Sequence, residues 1–154
     1  MGAVYFYHLT DSPLEAVLPM LLDRARGQGW RVLVRGRGAA LLDRLDQALW
    51  DGTEDGFRPH GLAGGPHDAD QPILLGADVP ADGFACMMAV DGAEVTSAEA
   101  AALERTCILF DGQDGDAVAR ARVQWKAMTA NAILAQYWAQ ENGAWVKKAE
   151  TPTP

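Results

Sequence analysis

Short β-branched or aromatic runs alternate with segments of helical hydrophobic period along almost the whole chain. That alternation constrains the fold more than any other feature of the sequence. Residues 3–9, AVYFYHL, suit a first strand. Thr10, Asp11 and Ser12 then offer helix caps, and Pro13 suits a first helical turn. From Pro13 to about Arg26, Leu14, Val17, Leu18, Leu21 and Leu22 share one helical face, and Gly27 and Gly29 end the segment. Trp30 to Val34 reads as a second strand. Gly36-Arg37-Gly38 turns the chain into a helix over about 39–50, with Leu41, Leu42, Leu45 and Leu49 at core spacing. Residues 51–70, rich in Gly, Asp, Pro and His, read as a long loop. Strands follow at about 72–76 and 84–90, a helix near Ser97–Glu104, and a strand at Cys107–Phe110. The turn GQDGD supplies Asp114 or Asp116 as cap for a long final helix, from about Ala117 to Gln140. Strands alternating with helices predict an α/β fold whose sheet is mainly parallel and covered on both faces.

A chain of 154 residues, 49% hydrophobic and 22% charged, is expected to form one domain around one core. That domain is expected over 1–148, with 149–154 a disordered tail. No apolar run approaches the ~18 residues of a membrane span, and no basic stretch precedes an apolar one at the N-terminus. A cytoplasmic location without membrane contact is the expectation. Cys86 and Cys107 each sit in an apolar run, as buried reduced thiols do.

The net charge of −8 opposes general affinity for nucleic acid. Its distribution is uneven. Residues 117–149 hold Arg120, Arg122, Lys126, Lys147 and Lys148 against Glu141 alone, a local balance of +4 that leaves −12 to the rest of the chain.

Catalytic patterns are weak. Gly36-Arg37-Gly38 follows the second strand, lacks the third glycine of GxGxxG, and is accompanied by no Walker pattern, so a tight turn accounts for it. His60, His67, Asp68 and Asp70 share one loop without the fixed spacing or second ligand cluster of a metal site. No serine occupies a GxSxG context, and neither cysteine has a reactive setting. Neither a cofactor nor a catalytic residue is expected.

The last helix carries a mixed stripe. At 100° per residue, Val118, Arg122, Trp125, Lys126, Thr129 and Ile133 fall close together. One reading is a groove for an acidic, apolar-ended peptide, steered by cations and retained by an aromatic surface. The other is an ordinary half-exposed helix whose long cationic stems lie along apolar surface. Trp50, ending the helix LLDRLDQALW, and Phe57, before Pro59, likewise either cap the core or form an exposed apolar patch for a partner.

The runs Leu42-Asp43-Arg44-Leu45-Asp46-Gln47-Ala48-Leu49-Trp50 and Phe57-Arg58-Pro59-His60-Gly61-Leu62-Ala63-Gly64 resemble the signature of the chi subunit of bacterial DNA polymerase III. The opening Val4-Tyr5-Phe6-Tyr7-His8-Leu9 and the late Arg122-x-x-Trp125-Lys126 resemble it too, in the same order and over nearly the whole chain. The resemblance implies a three-layer α/β/α fold like that of nucleotide-binding domains, without a nucleotide site. It implies a non-catalytic accessory subunit linking the clamp loader to the acidic C-terminal tail of single-stranded-DNA-binding protein, a tail that ends in a phenylalanine carboxylate. Nucleic acid would be met only indirectly, in replication and repair.

By the same resemblance, Arg122 and Lys126 match basic positions at the tail site. Trp125 stands where the family commonly has tyrosine, and Phe110 is placed near the pocket wall with Val118 and Thr129. Trp50 and Phe57 match an aromatic pair that faces the psi subunit or a competing helicase. The chain departs from the pattern at residues 51–56 and 65–72, in its longer end after Trp145, and at Val118 or Ala119, where the family has a cation. Two rivals stand beside this reading: a small nucleotide-binding or hydrolytic α/β enzyme, and direct single-strand binding by the C-terminal helix.

Overall fold

A computed structural model describes residues 2–51 and 59–151. Its strands are β1 (Ala3–Leu9), β2 (Val32–Arg35), β3 (His60–Leu62), β4 (Ile73–Gly76), β5 (Cys86–Ala89), β6 (Arg105–Asp111), β7 (Leu134–Glu141) and β8 (Ala144–Thr151). Its helices are α1 (Leu14–Gly27), α2 (Ala39–Asp51), α3 (Ser97–Ala102) and α4 (Gly115–Ala130). All eight strands join one sheet in the order β3-β4-β2-β5-β6-β1-β7-β8. Every pairing is parallel except β7 with β8. The architecture is the three-layer α/β/α arrangement expected from the alternation.

The strand period of two explains why a single sheet supports two cores. On β1, Tyr5, Tyr7 and Leu9 join one apolar cluster with Leu18, Leu22, Leu45 and Leu49 of α1 and α2. Val4 and Phe6, pointing the opposite way, join the other with Ala100 of α3 and with Ala121 and Met128 of α4. β6 divides identically, with Cys107 and Leu109 on the first face and Ile108 and Phe110 on the second. The helices are anchored locally. Thr96 and Glu99 form a reciprocal capping box at the start of α3, and Glu99 also receives both Arg35 guanidinium nitrogens, at 3.0 and 2.7 Å.

Four sequence expectations need correction. The long final helix ends at Ala130, not Gln140. Asn131 caps it and Ala132 takes a left-handed φ of 59°, which terminates helical progression. Residues 134–141 then form β7, which turns through Asn142 and Gly143, both at positive φ, into β8. An Asn-Gly pair is the favoured sequence for the type I′ turn of a two-residue hairpin. β8 continues to Thr151, so residues 149–151 pair with β7 although a disordered tail was expected from 149. Within the expected 51–70 loop, His60–Leu62 adds the edge strand β3. Finally, Thr10, Asp11 and Ser12 do not cap α1. Pro13 precedes its first turn with no side-chain cap, and the three residues give their amides to Gln140.

Candidate functional site

The stripe residues of α4 divide by exposure. Asp114 caps the helix, accepting from the amides of Asp116 and Ala117 at 3.0 and 3.4 Å. Ala121 and Met128 are buried against the sheet, while Val118 and Trp125 are half-buried on the same cluster. Arg122 and Lys126 are exposed, and among the described residues neither forms an ion pair. Thr129 is half-buried, and its hydroxyl donates to the carbonyl of Lys126 at 3.2 Å. Ile133 lies past the helix end, buried beneath it, so it does not belong to the stripe. The basic cluster also divides: Lys147 pairs with Glu150 and Lys148 with Glu141, both on the hairpin rather than on α4.

Beneath Trp125 lies an aromatic floor. β1 sets His8 beside Phe110 of β6, and Phe6 beside Tyr137 of β7. The Trp125 ring meets Phe6 edge-on at 5.4 Å and Tyr137 at 6.0 Å, while Phe110 lies 5.9 Å from Tyr137 and 5.3 Å from His8. Edge-to-face packing at such distances adds ~0.5–1.5 kcal/mol per pair beyond area burial, which fixes the rings against one another. The Tyr137 hydroxyl is 2.7 Å from Nδ1 of His8. Burial raises the Tyr137 phenol pKa, with Arg122 opposing, and burial lowers that of the His8 imidazole, with Asp111 opposing. Gly112 lets the chain leaving β6 pass directly over the His8 ring, where a Cβ would collide with it.

The site is thus a half-buried aromatic surface with two unpaired cations on its rim. The structure brings Trp125, Phe110, Val118, Arg122, Lys126 and Thr129 to one side of the sheet. It adds His8 and Tyr137, which the sequence reading missed. The helix expected to Gln140 spans Tyr137, whereas the Asn142-Gly143 pair is a hairpin signal that points to a strand there.

Trp50 and Phe57 were expected to mark a second surface. Trp50, at the end of α2, is 42% exposed and packs at 4.2 Å, tilted by 39°, against the buried His60, which opens edge strand β3. His60 Nε2 lies 3.2 Å from both the carbonyl and a carboxylate oxygen of Asp46. Leu62 of β3 is also exposed. Phe57 lies outside the described residues. His67, Asp68 and Asp70 do not converge with His60 as a metal site: among the described residues no His, Cys, Asp or Glu cluster suits one. Cys86 and Cys107 are free and buried, on the neighbouring strands β5 and β6.

The location where open α/β sheets hold nucleotides is acidic here. β1 leads to α1 on one face and β6 to α4 on the other, and the crevice between their C-terminal ends is lined by Asp11, Glu15, Asp91, Asp111 and Asp114 against Arg44 and Arg120. The turn Gly36-Arg37-Gly38 does point amides outward. The Asp91 carboxylate already takes those of Arg37 and Gly38, at 3.2 and 3.0 Å. A phosphate there would have to displace that carboxylate.

No helix among the described residues is long and apolar enough to cross a membrane. A comparison with curated proteins finds no significant match. The family model described as DNA polymerase III chi subunit, HolC, matches residues 1–136 of the 154, a span that takes in the α2 signature, the whole of α4, and Phe6, His8 and Phe110 of the aromatic floor, and ends just before Tyr137. The chain therefore belongs to the chi subunit family of DNA polymerase III, an accessory subunit of the DNA replication machinery.

Proposed function

We propose that the α4 side of this chi subunit holds the acidic C-terminal tail of single-stranded-DNA-binding protein and so links that protein to the clamp loader, without catalysis of its own. The observation that carries this reading is the pairing of unpartnered, exposed Arg122 and Lys126 with the half-buried ring of Trp125, packed on Phe6 and Tyr137 with Phe110 next to Tyr137. Acidic residues of the tail meet the two cations. Its terminal phenyl ring lies on the aromatic floor beside Trp125 and Val118, and its carboxylate faces Arg122. Thr129 borders the site and Phe110 supplies its floor.

Trp50, exposed toward the sheet edge away from β7, is proposed to face the psi subunit or a competing helicase, and Phe57 is proposed to contact the same partner. The chain then acts as an adaptor in the cytoplasm at replication forks and in repair, meeting nucleic acid only through its partner. The test is anisotropy titration of a labelled peptide bearing several Asp residues and a C-terminal Pro-Phe. Binding near micromolar, ~−8 kcal/mol, that weakens in Lys126→Ala is expected. Equal binding of a peptide lacking the last Phe rejects the anchoring mechanism.

A further inference from the structure

The opposite side of the sheet holds a second aromatic site, built from different residues. α1 packs against β2 and β6, and the first apolar cluster there is extended by Trp138 of β7 and Trp145 of β8. Between α1 and these tryptophans is a cavity of about 350 Å³. Much of its wall is aromatic: Tyr7 meets Trp145 edge-on at 5.3 Å, and Tyr5, Trp30 and Trp138 line it beside aliphatic and sulfur side chains of α1, β5 and β6. That volume lies in the range of small-ligand pockets, ~300–1,000 Å³.

The polar groups of this cavity are one-sided. Arg24 of α1 and Arg105 of β6 line it, and among the described residues no carboxylate does. Arg105 holds its guanidinium over the rings of Tyr5 and Trp30, at 4.5 and 5.2 Å, and its Nε is buried without a hydrogen-bond acceptor among the described residues. Neither arginine pairs with an acid among the described residues. The Tyr7 phenol, its pKa raised by burial, stays protonated and able to donate. Two unpaired cations and a phenol donor converge on an aromatic enclosure in a protein whose net charge is −8. A buried guanidinium nitrogen without a partner is costly, and an anion entering the cavity relieves that cost.

We propose that this cavity binds a small aromatic anion, a planar ring carrying a carboxylate or a phosphate. The ring stacks among Trp30, Trp138 and Trp145, and the anionic group is held by Arg105 and Arg24. The site is independent of the α4 surface, which lies across the sheet. Trp138 and Trp145 also fall beyond residue 136, where the family match ends.

The full chain is titrated by calorimetry with indole-3-acetate and with uridine monophosphate, alongside the neutral counterparts tryptophol and uridine. Saturable binding of at least one acid is expected, at least tenfold tighter than its neutral counterpart, and which acid binds distinguishes carboxylate from phosphate ligands. Arg105→Gln should weaken it tenfold or more; the exposed Arg24→Gln should weaken it severalfold and serves as the variant that keeps the fold should Arg105→Gln not. Lys126→Ala should leave it unchanged. In proton–nitrogen spectra the indole signals of Trp30, Trp138 and Trp145 should shift, while those of Trp50 and Trp125 stay in place. The proposal is overturned if neither acid binds at millimolar concentration, if the neutral compounds bind equally, or if the shifts appear at Trp125 instead.

Discussion

His8 and Tyr137, 129 residues apart in the chain, are joined by a 2.7 Å hydrogen bond between the imidazole Nδ1 and the phenol oxygen. The bond ties the C-terminal end of β1 to β7 at the floor of the α4 site. Burial lowers the His8 pKa below the ordinary 6.5, outweighing the opposing pull of Asp111. The unfolded chain therefore binds a proton at His8 more readily than the folded one, so this histidine penalises the fold increasingly as pH falls below about 6.5. Thermal melts between pH 5 and 7 should show stability declining toward acid, and His8→Phe should flatten that decline. An unchanged slope in His8→Phe, or an imidazole that titrates at or above 6.5 by NMR, rejects the assignment.

Gln140 is buried on β7, and its side-chain oxygen accepts from the amides of Thr10, Asp11 and Ser12 at 3.0, 3.0 and 3.2 Å. Its nitrogen donates to the Ser12 hydroxyl at 3.1 Å. This one side chain thus satisfies the loop between β1 and α1. Gln140→Ala orphans these groups, and a loss of at least ~1–3 kcal/mol in urea unfolding is expected. Hydrogen exchange at residues 10–12 should accelerate more than elsewhere. Gln140→Glu should retain part of the stability, because a carboxylate still accepts from all three amides.

These two contacts mark where the sequence stopped being readable. β1, α1, α2 and β4 were legible because period and composition agreed: the 3.6-residue leucine spacing of α1 and α2 and the dense apolar runs of buried parallel strands each admit one placement. After α4 the two signals conflicted. Leu, Ala and Gln in LAQYWAQ carry helical propensity, yet β7 is held as a strand by its parallel pairing with β1, a contact made across some 130 residues. The site was half legible for the same reason. Arg122, Trp125 and Lys126 lie on one helix and show as a local pattern, whereas His8, Phe110 and Tyr137 are neighbours only through the strand order β6-β1-β7.

The division of labour on α4 predicts a salt dependence. Arg122 and Lys126 are exposed, and exposed ion pairs contribute ~0–1 kcal/mol each, screened by salt. The apolar anchor is worth ~1.5–3 kcal/mol, or about 10- to 150-fold in affinity, and is largely insensitive to salt. Arg122→Ala with Lys126→Ala should therefore weaken binding of an acidic Phe-ended peptide severalfold at low salt and scarcely at all at high salt. Removing the terminal Phe should cost its full factor at both. A peptide whose loss without Phe vanishes at high salt contradicts this division.

The Asp91 carboxylate occupies backbone amides of the turn after β2 that a phosphate would need. Asp91 sits at a left-handed φ of 57° and closes the Gly36-Arg37-Gly38 turn by accepting from two of its amides. Arg37 Nε returns a bond to the Asp91 carbonyl at 2.6 Å. The carboxylate stands where a phosphate would otherwise take those amides, and Asp11, Glu15, Asp111 and Asp114 surround the same crevice with further negative charge. Millimolar ATP, GTP or their diphosphates should accordingly leave the melting temperature unchanged. A nucleotide at 100 times its dissociation constant would stabilise the fold by ~2.7 kcal/mol, a shift easily seen in a chain of this size. Asp91→Ala should destabilise by ~0.5–1.5 kcal/mol, because two amides at the surface exchange their carboxylate acceptor for water. Stabilisation of the unaltered chain by a nucleotide, lost when Gly38 is changed to Pro, would restore the enzyme reading.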